Sequence, residues 1–377
     1  SKNGRVYVAA RDSGNRAIIL EADATAGLSN PKWTTLGRAT GGVAVINACD
    51  RIVAGWIDGQ ELKIAWKPTT SSSGDGWSMP VSMSGSAGTG PSLAVDVADN
   101  IGFAFLTQQR RAAFGLLRCA SADFPKAGIA DVSSDTWMRR PALAAYGPHF
   151  VLSTLSDNRR AYLAVQHQTS AGEKWQSFEP IPASKMGDAG LPLVDTPQVN
   201  VFSGAIVLTG VLSQTREPLY WIKYPNQLAP GDPWMGGRTI GGSGKSSMDV
   251  LMVQFGTSRL RGKGGAPSEL YATTRDPVSQ KIVGINLARY IAMDVLNADI
   301  GVNITGLSNI EPQPHRELDP FIAPNIFEQM VALLAFPKKA RDSLFRGKKC
   351  GQLWLATMLE LDRNYRSGQS RPGSCPY

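Results

Sequence analysis

Between Pro141 and Trp175 the chain reads PALAAYGPHFVLSTLSDNRRAYLAVQHQTSAGEKW. Three short apolar runs stand out: Pro141–Tyr146, Phe150–Leu155 and Ala161–Gln166. Gly147-Pro148 parts the first two, and the stretch Asp157 to Arg160 parts the second from the third. Runs of strand length divided by turn-forming residues predict an antiparallel meander. A further turn leads to Trp175, which is expected to open a fourth strand.

The same layout recurs. Pro91-Ser-Leu-Ala-Val stands nineteen residues before Arg110, Pro141-Ala-Leu-Ala-Ala eighteen before Arg159, and Pro197-Gln-Val-Asn-Val nineteen before Arg216. Near the start, the stretch Arg5 to Asp12 matches Arg51 to Asp58 at an offset of 46. Tryptophans mark the fourth-strand position at Trp33, Trp77, Trp175 and Trp234, with Ile129 in that place in the third unit. Four-stranded repeats of about forty to fifty residues are the mark of a β-propeller. A lone sheet leaves both faces bare, so several must stack around an axis. A two-sheet sandwich is the alternative, but it leaves the recurring spacing unaccounted for.

The expected fold is therefore all-β: a propeller of six four-stranded blades, with seven as the alternative, over residues 1–307. No Pro-x-Leu-Ala run precedes Arg5, so the chain enters on the second strand of its first blade. The missing innermost strand is expected from residues 300–307. Residues 308–377 are expected to form a partly helical appendage. There Asn325 is placed to cap a helix, Glu328 completes a capping box, and Pro337 stops the apolar periodicity.

The 39 glycines, 24 prolines and 19% charged residues among 377 suit a loop-rich all-β chain. No run of eighteen apolar residues exists, so no transmembrane segment is expected. The formal net charge is +8. After Pro337 nine lysines and arginines face only Asp342, Glu360 and Asp362, so most of the excess lies in residues 338–377. That basic segment is a candidate docking element for a protein partner. Four cysteines without CxxC spacing and three scattered histidines predict no metal site and no cofactor. Cys350 and Cys375 are the expected disulfide. Cys49 and Cys119, both placed on the bottom face, are the candidate second pair, and free thiols are the alternative. The even count points to a secreted, extracellular or periplasmic protein.

Two familiar chemistries are excluded by spacing. Gly241-Gly-Ser-Gly-Lys-Ser246 has Thr239 where a phosphate loop needs its first glycine. His149, His167 and His315 accompany no G-x-S-x-G elbow. The arginines carry more information. In a propeller the turns from second to third strand and the loops between blades open on one face. The turns supply Arg16, Arg110, Arg111, Arg159, Arg160 and Arg216; the loops supply Arg38, Arg139, Arg140 and Arg238. Guanidinium forks suit carboxylate, sulfate or phosphate. Asp12 and Asp58, at equivalent positions in successive blades, are the candidate acids beside them. The alternative is that nearby acids neutralise an ordinary polar rim.

Asp75-Gly-Trp77 and Ser170-Ala-Gly-Glu-Lys-Trp175 resemble the Asp-box of sialidase-like propellers, Ser-x-Asp-x-Gly-x-x-Trp; Ser170, Gly172 and Trp175 fit a shortened form. The repeated strand phrases also resemble those of propeller lectins. The resemblance implies the fold. Sialidase membership would further imply an arginine triad, a Tyr–Glu pair and an acid aspartate, but the Arg-Ile-Pro motif is absent and no Tyr–Glu pair is assigned. The expected function is an extracellular module that binds an anionic glycan or an acidic protein surface. A sialidase- or polysaccharide-lyase-like enzyme is the alternative, and an assembly component docking through its basic C-terminal segment is a further one. Nucleic acid ranks lower, because no aromatic residues interleave the arginines to stack bases.

Overall fold

The structure is a computed structural model that describes residues 5–23, 29–70, 76–84, 86–119, 124–169, 172–182, 192–202, 205–223, 234–240, 251–255, 269–276, 278 and 282–287. Their secondary structure is almost entirely β, in six antiparallel sheets. The first holds β1 (Arg5–Arg11), β2 (Arg16–Asp23) and β3 (Ser29–Arg38). The second holds β4 (Ala44–Ala48), β5 (Arg51–Asp58), β6 (Glu61–Pro68) and β7 (Val81–Ser84). The third holds β8 (Ser92–Val95), β9 (Ile101–Leu106), β10 (Arg111–Leu117) and β11 (Ile129–Thr136).

The fourth sheet is the stretch quoted at the outset. It comprises β12 (Ala142–Tyr146), β13 (His149–Leu155), β14 (Ala161–Thr169), β15 (Gly172–Trp175) and β16 (Glu179–Pro180). Its outer edge is in two pieces, both pairing with β14, and Trp175 closes the first piece instead of opening a longer strand. Pro180, lacking an N–H, is tolerated on such an outer edge. The fifth sheet holds β17 (Gln198–Phe202), β18 (Ala205–Val211), β19 (Pro218–Lys223) and β20 (Met235–Thr239). The sixth holds β21 (Leu251–Phe255), β22 (Glu269–Arg275) and β23 (Ile282–Asn286).

Strand order equals chain order in every sheet, so each is a meander. The strand that begins each of sheets two to six touches its counterpart in the sheet before: β4 with β8, β8 with β12, β12 with β17, β17 with β21. In the first sheet β1 takes that place against β4, although by sequence it matches the second strand β5. Such a succession of sheets, inner strand beside inner strand, is the arrangement of a β-propeller. Among the described residues β1 pairs with β2 alone, and Val6 and Val8 on it are exposed. The expected closing strand at 300–307, the appendage and the Cys350–Cys375 pair lie outside the described residues.

Burial explains why the strands differ in composition. The second strands are covered on both faces by neighbouring sheets, so β9 (IGFAFL) and β18 (AIVLTGV) are buried throughout. The outer β11 (IADVSSDT) is mostly polar and exposed. Each of the first four sheet-to-sheet interfaces has its own apolar cluster. Trp56, Ala54 and Ala65 meet Ala17 and Ile19 between the first two sheets. Phe103 and Phe105 meet Val53 and Ile64 between the next two. Phe150 and Leu152 meet Ala104 and Phe114, and Ile206, Leu208 and Trp221 meet Val151 and Leu163.

Backbone amides lock the sheets in sequence. At the end of each of the first four sheets two consecutive N–H groups diverge. The first returns to a carbonyl in a turn of its own sheet, between β1 and β2 in the first and between second and third strands in the others; the second crosses to the end of the next sheet's second strand. Ala39 N donates to Asn15 O and Thr40 N to Ile57 O, both at 2.7 Å. Ala87 and Gly88 reach Gln60 and Leu106; Trp137 and Met138 reach Arg110 and Leu155; Leu193 and Val194 reach Arg159 and Val211, all within 2.7–2.9 Å. These bonds put the turns and the blade-to-blade loops on one face. On the opposite face Cys49, between β4 and β5, is disulfide-bonded to Cys119, just after β10, which joins the second sheet to the third.

Candidate functional site

The turn from second to third strand carries a left-handed residue in three consecutive sheets: Arg110 (φ 63°), Arg159 (φ 60°) and Arg216 (φ 63°), with Asn15 (φ 56°) in the first. A tight turn followed by one αL residue is a common way to close a hairpin of this length. The carbonyl of that residue accepts the returning amide described above, except in the fifth sheet, where Ile240 N bonds Pro218 O. The backbone therefore fixes where these arginines leave the face.

Most of the rim arginines meet an aspartate. Arg16 pairs with Asp12 in its own turn at 2.7 Å. Arg38 approaches Asp58 of the next sheet at 3.9 Å, Arg110 pairs with Asp157 of the next sheet, and Arg139 approaches Asp195 at 3.9 Å. Arg111 reaches Asp131 on the adjacent strand at 3.4 Å. The two acids singled out in the sequence are thus rim and turn groups. Asp12 accepts Arg16 N at 2.8 Å, and that backbone hydrogen bond, with the guanidinium behind it, holds its carboxyl below the ordinary aspartate value. Neither Asp12 nor Asp58 lines the central cavity. Arg216 is held by further contacts of its own, and Arg238 lies on β20, opposite Tyr220.

Three arginines stand apart, and all belong to the fourth sheet. Among the described residues no carboxylate lies within ion-pair distance of Arg140, Arg159 or Arg160. Arg159 is exposed in the turn and Arg160 half-buried beside it. Arg140 has left the rim. It precedes Pro141, which holds it extended, and successive side chains of an extended segment point opposite ways. Arg139 consequently faces Asp195 while Arg140 enters the cavity enclosed by the inner strands.

That cavity measures about 730 Å³ and draws its walls from five sheets. Val43, Val45, Leu93, Leu143 and Val199 give it apolar surface, and Tyr7, Ser92, Arg140 and Gln198 are the polar side chains among the described residues of its lining. Arg140 Nε donates to Ser92 Oγ at 3.1 Å, and the Ser92 hydroxyl donates to Pro141 O at 2.6 Å. Gly42 abuts the guanidinium: a Cβ there would stand 3.0 Å from Arg140 Nη1. Burial lowers the Arg140 pKa from its ordinary value, and the more distant Asp195 charge opposes that shift. The Tyr7 hydroxyl is turned to Glu21 at 3.3 Å.

The sequence reading did not pick out Ser92, Gln198 or Gly42. A signal for the first two was present. Ser92, Ala142 and Gln198 each directly follow the repeated proline, and all three line the cavity.

No protein-family model matches the chain, and no curated protein matches it in sequence. Solved structures do. A fucose-specific lectin from Aleuria aurantia is 10% identical with a TM-score of 0.44, over 75% of this chain and 88% of that one. AofleA from Arthrobotrys oligospora is 10% identical with a TM-score of 0.44, over 76% and 88%. A polysaccharide lyase, a PL25 ulvan lyase solved with -[GlcA(1-4)Rha3S]- bound, is 12% identical with a TM-score of 0.44, over 75% and 80%. The chain resembles lectin-type propellers in this coarse sense.

Proposed function

We propose that this protein is an exported glycan-binding module that takes acidic glycans on the face carrying its arginines. The observation that supports this reading is the contrast within that face. Arg16, Arg38, Arg110, Arg111 and Arg139 are matched by aspartates, whereas Arg140, Arg159 and Arg160 of one sheet are not. Unmatched guanidinium groups on one sheet, two in a rim turn and one in the cavity, attract and orient anions. In this reading the six sheets are six blades, with the closing strand supplied by residues 300–307. The basic segment 338–377 is an accessory docking element for an acidic partner. The Cys49–Cys119 bridge supports an oxidising, extracellular or periplasmic setting.

A glycan array read at two salt concentrations tests this. Acidic glycans should be retained over neutral ones, and retention should fall as salt rises, because exposed charges are screened over about 8 Å at physiological ionic strength. Equal retention of neutral and acidic glycans would overturn the proposal.

A further inference from the structure

We infer that the cavity around Arg140 is a receptor for one oxoanion of an acidic sugar, with Arg140 as the binding fork, Ser92 as its positioning residue and Gly42 as its clearance. The inference rests on the reading of an acidic-glycan-binding face and deepens it: the rim attracts the chain, and the cavity holds a single acidic unit.

Four features of the site carry this. The guanidinium is partly desolvated in a wall of mixed polarity, where a charge without a counter-ion is costly, yet among the described residues no carboxylate approaches within ion-pair distance. Its orientation is set, since Nε is engaged by a hydroxyl that is itself anchored to the Pro141 carbonyl. With Nε engaged, the two terminal nitrogens are the part of the fork left to face an oxoanion side by side, the arrangement in which arginine binds carboxylate or sulfate most specifically. The space beside Nη1 exists because residue 42 has no side chain, while Val43, Leu93, Leu143 and Val199 offer apolar surface to the ring carrying the charge. Among the described residues of the lining Arg140 is the one cationic side chain, which suits one negative charge and not a run of them.

Carboxylate and sulfate share this chemistry, and the probes separate them: an oligogalacturonate, a sulfated neutral oligosaccharide of equal length, and the uncharged parent. Each is titrated calorimetrically into the full chain and its variants at two salt concentrations. Arg140→Gln should weaken the preferred acidic probe by roughly tenfold to a hundredfold, the range for losing a hydrogen-bonded charge partner. Gly42→Val should do the same with no change of charge, by filling the space at Nη1. Ser92→Ala should weaken binding by a smaller factor, and Arg140→Lys should not restore it, since an ammonium lacks the fork. The Arg140-dependent part should be the less salt-sensitive, because buried pairs are screened less. If Arg140→Gln and Gly42→Val both bind like the unmodified chain while Arg159→Ala with Arg160→Ala abolishes binding, the cavity site is wrong and the rim reading stands. If none of these variants affects binding of acidic probes, both are wrong. Should Arg140→Gln unfold, Gly42→Val alone decides between these outcomes.

Discussion

Lys67 on β6 reaches back across the first sheet-to-sheet interface to Glu21 on β2, with Nζ 2.5 Å from Oε2 and both side chains almost completely buried. Glu21 also accepts Arg5 Nη1 at 2.5 Å, and the Lys67 ammonium lies over the rings of Tyr7 (5.4 Å) and Trp77 (5.7 Å). Three sheets later the arrangement returns. Lys223 on β19 pairs with Glu179 of the preceding sheet beneath Trp234, at 5.1 Å from the ring. In these two units the recurrent tryptophan is thus the lid of a buried ion pair, whereas Trp175 packs on Phe114 and Trp33 is exposed. The third unit, with Ile129 in place of tryptophan, has Leu117 where β6 and β19 have their lysines.

Removing one partner of such a pair strands the other. Lys67→Met should destabilise the fold by about 3–5 kcal/mol, whereas Lys67→Met with Glu21→Leu should restore most of it, since paired apolar replacements are often neutral. Urea unfolding of the two variants compares them directly; equal losses would contradict the assignment.

The same pair sets an acid limit. Burial alone would raise the Glu21 carboxyl, but the hydrogen bonds and charges of Lys67 and then Arg5 outweigh it and hold it below its ordinary 4.5. A group whose folded pKa is depressed contributes its stability above the unfolded pKa and loses it as pH falls through the folded one. Stability should therefore change little through this group above about pH 5 and decline below it. In Lys67→Met the carboxyl loses the partner that holds its pKa down, so the acid decline from this group should shrink or vanish, which thermal melts across a pH series will show.

Cys49 and Cys119 are separated by 70 residues. Closing a loop of that size is worth about 4 kcal/mol in the chain-entropy account. Cys49→Ser with Cys119→Ser should lower the unfolding midpoint accordingly, and reductant should shift the unmodified protein by more than the variant.

Close approach between sheets makes two glycines unequal. A Cβ on Gly90 would fall 2.3 Å from the Gly42 carbonyl oxygen, while one on Gly128 meets nothing within 4 Å. Gly90→Ala should be strongly destabilising and Gly128→Ala close to neutral, as judged by chemical unfolding.

Arg159 occupies the left-handed region, which costs a side-chain-bearing residue about 1–2 kcal/mol. Arg159→Gly should therefore raise stability modestly while lowering retention of acidic glycans at low salt. A gain in both, or a loss in both, would show that the turn and the rim charge are not opposed there.

Much of the fold was legible because it is repetitive and local. Two prolines and two arginine turns at matched spacing fix the third and fourth sheets, and the Arg5–Asp12 match aligns β1 with β5. The placement of Cys49 and Cys119 on one face followed from the same layout, and the disulfide joins them. The site was legible only as a set of candidates. Sequence reveals that an arginine sits in a loop, but not whether an aspartate from the next sheet meets it, as Asp157 meets Arg110. Nor does the pair Arg139-Arg140 declare that one of the two turns inward; that depends on the extended backbone before Pro141 and on the space left by Gly42, a residue from a different sheet.

At the junctions that follow the first four sheets, pairs of adjacent amides meet carbonyls, and in these bonds both donor and acceptor are main-chain groups. Such a seam is indifferent to what is written in the sequence on either side of it. A unit copied in tandem would present the same two donors and the same two acceptors, and would dock before any of its residues had adapted to their new neighbours. Drift could then proceed independently in each copy. That leaves one unit free to keep a lysine and its tryptophan, another to lose both, and a third to place an arginine in the central space.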